Sequence, residues 1–164
     1  MNPSVLLASY DRIASRVLDR LRDPVLLLIR LTWGWMFFAT GKGKLGNLAG
    51  TAEFFASLGL PLAGANALLV GLLECFGGLL LLLGLASRPV ALLLTGNMVV
   101  AYLTAHRGEL GGLAAFVGAA PYPYLMAALT VLAFGPGRAS LDALLRRRSV
   151  PGVGSAAMPQ GTHA

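Results

Sequence analysis

Between Leu62 and Ala86 the chain runs through 25 residues with a single charge, Glu74. About 20 consecutive apolar residues suffice for a helix to cross the hydrocarbon core of a bilayer. The rest of the composition agrees with that reading. Hydrophobic residues make up 56% of the chain and charged residues 12%, against about 25% charged in ordinary soluble domains. The length, 164 residues, is one domain's worth. A small domain buries only about 70% of its unfolded surface, and this sequence lacks the polar residues to cover the remainder. A soluble enzyme, a disordered tail and a disulfide scaffold are excluded. The fold class that remains is all-α, an integral membrane protein.

Three further apolar runs accompany the first: 24–44, opening on Pro24 at a good first helical position, then 89–106, then 121–134. Four spans predict a four-helix bundle. The last run has only 14 residues, so the span either is short or begins near Leu113 with Pro121 and Pro123 kinking it. The connection 45–61 predicts a short interfacial helix capped by Thr51 and stopped by Gly59 and Pro61. Ser87-Arg88-Pro89 reads as a tight turn, and Ser140 as the cap of a polar helix over 141–147. Ahead of the spans, Leu6, Tyr10, Ile13, Val17 and Leu21 recur at helical spacing opposite Asp11, Arg12, Arg16, Asp19, Arg20 and Arg22. That pattern predicts an amphipathic helix on the membrane surface, not a cleavable signal peptide. The expected organisation is a surface helix over 1–23, a transmembrane unit over 24–148 and a disordered tail over 149–164.

Basic residues outnumber acidic ones 13 to 7. The excess is split between the chain ends rather than set on one face among stacking aromatics, which argues against nucleic acid. With four spans, nine Lys and Arg fall on the side of the termini and three, Lys42, Lys44 and Arg107, on the other. Positive loops stay inside, so both termini are expected in the cytoplasm of a bacterial inner membrane, with the lipid bilayer as first partner.

Helical geometry then sorts the polar residues. Ala67, Gly71, Glu74 and Gly78 are spaced 4, 3 and 4, and so are Arg30, Gly34, Phe37 and Gly41; each set shares one helix face. Thr95, Tyr102 and His106 share another. Small residues let helix backbones approach, so Glu74 points at a neighbouring helix or a cavity. A charge inside the membrane is costly and is a functional candidate by default. An Arg30–Glu74 bridge is disfavoured by about 9 Å of height difference, whereas Lys44 and His106 lie in the direction Glu74 leans. Arg30 itself is near enough to its helix end to snorkel. Cys75 is the only cysteine and reads as a small buried hydrophobe. Metal-ligand spacing, haem, flavin and nucleotide motifs are not found in the sequence.

These residues resemble the DoxX family of small bacterial membrane proteins. The resemblance spans roughly 24–145. It rests on Arg30, on Gly41-Lys42-Gly43-Lys44-Leu45, and on Phe54 to Pro61. It continues with Val70-Gly71-Leu72-Leu73-Glu74 leading into Gly77-Gly78, with His106, and with Gly135-Pro136-Gly137-Arg138 followed by Ser140-Leu141-Asp142. It implies a four-helix membrane bundle serving as the membrane subunit of a redox system, since a related DoxD-type protein is the membrane subunit of a thiosulfate:quinone oxidoreductase. By position it carries over Arg30, Lys44, Glu74 and His106. The 107–120 segment departs from many members in lacking an aromatic-rich loop.

Three functions stand open at this level. In the first, Glu74 and His106 are the catalytic, proton-handling groups at a quinone head group. Arg30, Lys44, Phe37 and Phe38 then bind it, and a partner protein supplies the electrons. In the second the chain is a non-catalytic partner or assembly protein, docking another membrane protein or a second copy through its small-residue faces. The third is a small-molecule transporter.

Overall fold

The computed structural model describes residues 3–149, with side chains described between 18 and 146 except at position 19. Among the described residues the protein is all-α: α1 Pro3–Gly46, α2 Leu48–Ser57, α3 Ala63–Leu83, α4 Ser87–Leu103, a 3-10 turn Arg107–Gly111, α5 Leu113–Gly118, α6 Pro121–Phe134 and α7 Leu141–Ser149. α1 packs along α3, α3 on α4, α4 on α6, and α6 returns to α1, while α2 lies across α3. Two stretches, 20–46 and Ala63–Leu83, are long and apolar enough to cross a membrane. α4 and α6, with 17 and 14 residues, reach about 25 and 21 Å, short of the roughly 30 Å core.

The α1–α3 seam follows the sequence spacing. Arg30, Gly34, Phe37 and Gly41 of α1 are all buried, and so are Ala67, Gly71, Glu74 and Gly78 of α3. The glycines are needed there. A Cβ on Gly41 would fall within 3 Å of the Glu74–Cys75 backbone, and one on Gly78 within 3 Å of the Phe38 backbone. The other side of the seam buries Phe37, Leu81, Leu94, Met98, Tyr102, Leu125 and Val131 in one cluster. Large apolar side chains such as Leu28, Trp35, Phe76, Leu92 and Leu93 face outward.

Several boundaries differ from expectation. α1 does not break at Pro24, although proline lacks the N–H that would reach the Arg20 carbonyl. Contacts on both sides hold the segment in line: Arg22 Nη2 donates to the Phe134 carbonyl, the Arg138 N–H donates to Asp23 Oδ1, and Arg30 is anchored about two turns further on. The side chains of 2–17 and the tail beyond Ser149 lie outside the described residues. The cap of α2 is Asn47, whose Oδ1 accepts from the Gly50 N–H at 3.2 Å. The hydroxyl of Thr51 instead donates to the carbonyl of Asn47. Ser87-Arg88-Pro89 is the first turn of α4, and the reversal occurs at Gly84–Ala86, with positive φ at Gly84 and Ala86. The last run divides into α5 and α6 at Ala119–Ala120. Ser140 does cap α7, with Oγ accepting from the Ala143 N–H at 3.2 Å.

Candidate functional site

Two charges sit on the buried α1–α3 seam, and the fold treats them differently. Arg30 is 1% exposed. Its Nε donates to the Leu81 carbonyl and Nη2 to Leu82, both at 3.0 Å; Nη1 donates to Pro136 at 2.6 Å and Ala139 at 2.8 Å. Leu81 and Leu82 lie in the last turn of α3, where intrahelical donors run out and the helix dipole attracts a cation; the Gly84 N–H shares the Leu81 carbonyl at 3.1 Å. Gly84 follows with φ +69°, and a Cβ there would strike the guanidinium and Ser140. The planar fork of arginine thus ties α1 to the end of α3 and to the turn after α6. Nearby, Asp142 on α7 accepts from the N–H groups of Ala86 and Ser87 at 2.8 and 2.9 Å, capping α4 from outside. Partial burial alone would raise the Asp142 pKa. Those two backbone donors, with Arg146, outweigh it and hold the carboxyl below its ordinary value.

Glu74 lies midway along α3 and is 2% exposed. Its Oε2 pairs with the Lys44 ammonium, and its Oε1 accepts from Asn97 Nδ2 at 2.9 Å. Helix geometry explains the pairing. Gly41 brings α1 against the Glu74–Cys75 backbone, and Lys44, three residues on, shares its face. Each carboxyl oxygen of Glu74 therefore has a side-chain partner, one from α1 and one from α4.

The pair lies at the wall of a cavity of about 370 Å³, within the roughly 300–1,000 Å³ usual for small-molecule sites. The walls are mostly apolar, among them Phe37, Val70, Met98 and Tyr124, with Phe54 and Phe55 from α2. Polar groups of Lys44, Glu74, Asn66, Asn97 and His106 also line it. His106 follows the end of α4; its Nδ1 is 3.0 Å from Glu109 Oε2, and its ring meets Tyr102 edge-on. The Tyr124 ring is held edge-on by Trp33 at 5.0 Å and Phe37 at 4.9 Å.

The structure therefore gathers Glu74, Lys44, His106 and Phe37 around one space. Arg30 is elsewhere, about 11 Å further along α3 at the level of Leu81, and does not line the cavity. Phe38 does not line it either; it packs against Trp35. Tyr102 is buried and donates to the Phe116 carbonyl at 2.7 Å, fastening α4 to α5. Two cavity residues carried no sequence signal of their own. Asn97 was visible only as a polar residue in an apolar run, and Tyr124 only as an aromatic near two prolines. Among the described residues, no cluster of three or more His, Cys, Asp or Glu side chains could hold a metal ion.

Outward-facing leucines, glycine-mediated helix contacts and a charged pair at an interior cavity describe a chain whose solvent is lipid: a small helical membrane protein with a mostly apolar cavity that carries a few polar groups. The family comparison agrees. The DoxX family model matches residues 25–107, and the chain belongs to that family. It is 35% identical over 100 residues to "Putative oxidoreductase CatD" of Bacillus subtilis (strain 168), a match covering 61% of this chain and 69% of the relative. It is 29% identical over 131 residues to inner membrane protein YqjF of Escherichia coli (strain K12), covering 80% of this chain and 99% of the relative. Inner membrane protein YphA of the same organism is 37% identical over 71 residues, covering 43% and 51%. No solved structure matches the chain.

Proposed function

We propose that this protein is the membrane subunit of a redox system and that its cavity receives a quinone head group. Electrons come from the redox centre of a partner protein. The observation that carries the reading is an apolar, aromatic-walled cavity with the Lys44–Glu74–Asn97 cluster on one wall. A flat ring with two carbonyl oxygens asks for that combination: ring surface for Phe37 and Tyr124, and hydrogen-bond donors at its edge. Lys44 keeps N–H groups beyond the one facing Glu74, and the Tyr124 hydroxyl supplies another donor. Reduction adds two electrons and two protons, so each carbonyl oxygen ends as a hydroxyl. His106 and the Lys44–Glu74 pair, which all line the cavity, are the proton-handling groups. The oxidoreductase in the name of the CatD relative supports a redox setting.

In this reading α1 from about residue 24, α3, α4 and α6 form a four-helix transmembrane bundle over 24–148. The N-terminal part of α1 and both termini are on the cytoplasmic side, and the cavity opens toward the opposite side. The partner-docking alternative relied on the small-residue faces. Gly34, Gly41, Gly71 and Gly78 pack inside the chain, so those faces no longer argue for it.

The test is to purify the protein in mild detergent and extract bound quinone, with Glu74→Gln beside it. Near-stoichiometric quinone, lost in the variant, is the expected result. No quinone in either preparation would reject the reading.

A further inference from the structure

A second pocket lies at the opposite end of the molecule from the Glu74 cavity. It measures about 380 Å³ and is lined by Arg22, Asp23, Phe134, Gly137 and Arg138. Its cations are set by the backbone around them. Arg22 Nη2 donates to the Phe134 carbonyl at 2.9 Å, and its guanidinium lies 5.9 Å from the centre of the Phe134 ring. The remaining N–H groups of that guanidinium are not used by this contact. Arg138 is 79% exposed at its side chain. The acidic residue in the pocket, Asp23, is occupied: Oδ1 accepts the Arg138 backbone N–H at 3.0 Å, and Oδ2 lies 3.9 Å from Arg138 Nε. A third cation, Arg88, lies against Gly135 next to Phe134. The corner is cationic overall.

What adjoins it is apolar. Leu18, Leu21 and Val25 share the α1 face that carries Arg22, and all three are exposed, as is Phe134. A pocket of arginines opening beside bare hydrocarbon matches a molecule with an anionic head and an apolar tail. Arginine binds phosphate oxygens in a forked geometry, and basic pockets between membrane helices hold anionic head groups. We propose that this corner binds the phosphate of an anionic phospholipid, with its acyl chains lying along Leu21, Val25 and Phe134. The inference is independent of the quinone reading, because it uses no residue of that cavity.

Native mass spectrometry of the detergent-purified full chain tests it, with equal amounts of phosphatidylglycerol and phosphatidylcholine added. Arg138→Gln is the informative variant, since its exposed side chain can be changed without disturbing the backbone bond to Asp23. Arg107→Gln, exposed and away from this corner, is the control. Phosphatidylglycerol adducts should exceed phosphatidylcholine adducts. The preference should fall about fivefold in Arg138→Gln, the contribution of one basic residue near an anionic head group, and stay unchanged in Arg107→Gln. Equal retention of both lipids, or an undiminished preference in Arg138→Gln, would overturn the proposal. Displacement of the lipid by millimolar inorganic phosphate would reassign the pocket to small anions and overturn it as well.

Discussion

The seam between α1 and α3 carries two buried charges, Arg30 level with the end of α3 and Glu74 midway along it, and the two places work differently. Arg30 is met by four main-chain carbonyls from two segments, the end of α3 and the turn after α6, and does not line the cavity. Glu74 is met by two side chains, Lys44 and Asn97, at the edge of a cavity. Backbone carbonyls are fixed by the helices that carry them, so the Arg30 end is a clamp. Side chains on three helices can exchange partners, so the Glu74 end can admit a ligand. Burial alone would rank the two residues alike; the identity of the partners separates a charge locked by the backbone from one held by side chains at a cavity.

The sharpest way to break this contrast is at the clamp. Arg30→Gln leaves several buried carbonyls without donors, each costing about 1–3 kcal/mol. Thermal unfolding in detergent should show a loss above about 3 kcal/mol. Arg30→Lys should not restore it, because a point charge cannot reach four carbonyls in a fork. A lysine variant of normal stability would remove the distinction. The glycine seam gives the next largest effect. Gly41→Ala forces the Glu74–Cys75 backbone away, at about 1–3 kcal/mol, and disturbs the reach of Lys44. Gly43→Ala, two residues on with open space around it, should be neutral or stabilise by up to about 1 kcal/mol. Equal unfolding temperatures for the pair would show that the close approach is not required.

A smaller effect belongs to Asp142. Its folded pKa is depressed, so its contribution is present above the unfolded value of about 3.9 and is lost as pH falls through the folded value. Asp142→Asn should cost about 1 kcal/mol at neutral pH, the size of a lost helix cap. That difference from the unmodified protein should close below about pH 4. A gap that persists in acid would mean the carboxylate charge is not what caps α4. The smallest change in stability is expected at the cavity. His106→Gln, at a partly exposed side chain, should shift stability by less than about 0.5 kcal/mol, while lowering the rate of quinone reduction with the partner present.

How much of this could be read in the sequence varies along the chain. The α1 and α3 faces were legible because a 4-3-4 spacing of glycine, arginine and glutamate has one consequence on a helix, whatever else the fold does. The direction Glu74 leans was legible for the same reason. The clamp was not, because two of the Arg30 acceptors lie more than 100 residues away and are carbonyls, which every residue has. Asn97 and Tyr124 reach the cavity only through the packing of α4 and α6, and neither has a periodic partner to mark it. At Ser87 the misreading has a cause distant in sequence. Asp142, 55 residues on, caps the helix there, so Ser-Arg-Pro begins α4 instead of forming a turn.

The central claim is that the Glu74 end binds the ligand through its cavity. It is tested most directly by filling that space without touching a charge. Ala101→Phe places a ring in the cavity wall. Quinone retained per chain should be near-stoichiometric in the unmodified protein and nearly absent in the filled variant, at a similar unfolding temperature. A filled variant that retains quinone as the unmodified protein does would place the ligand elsewhere and contradict the account.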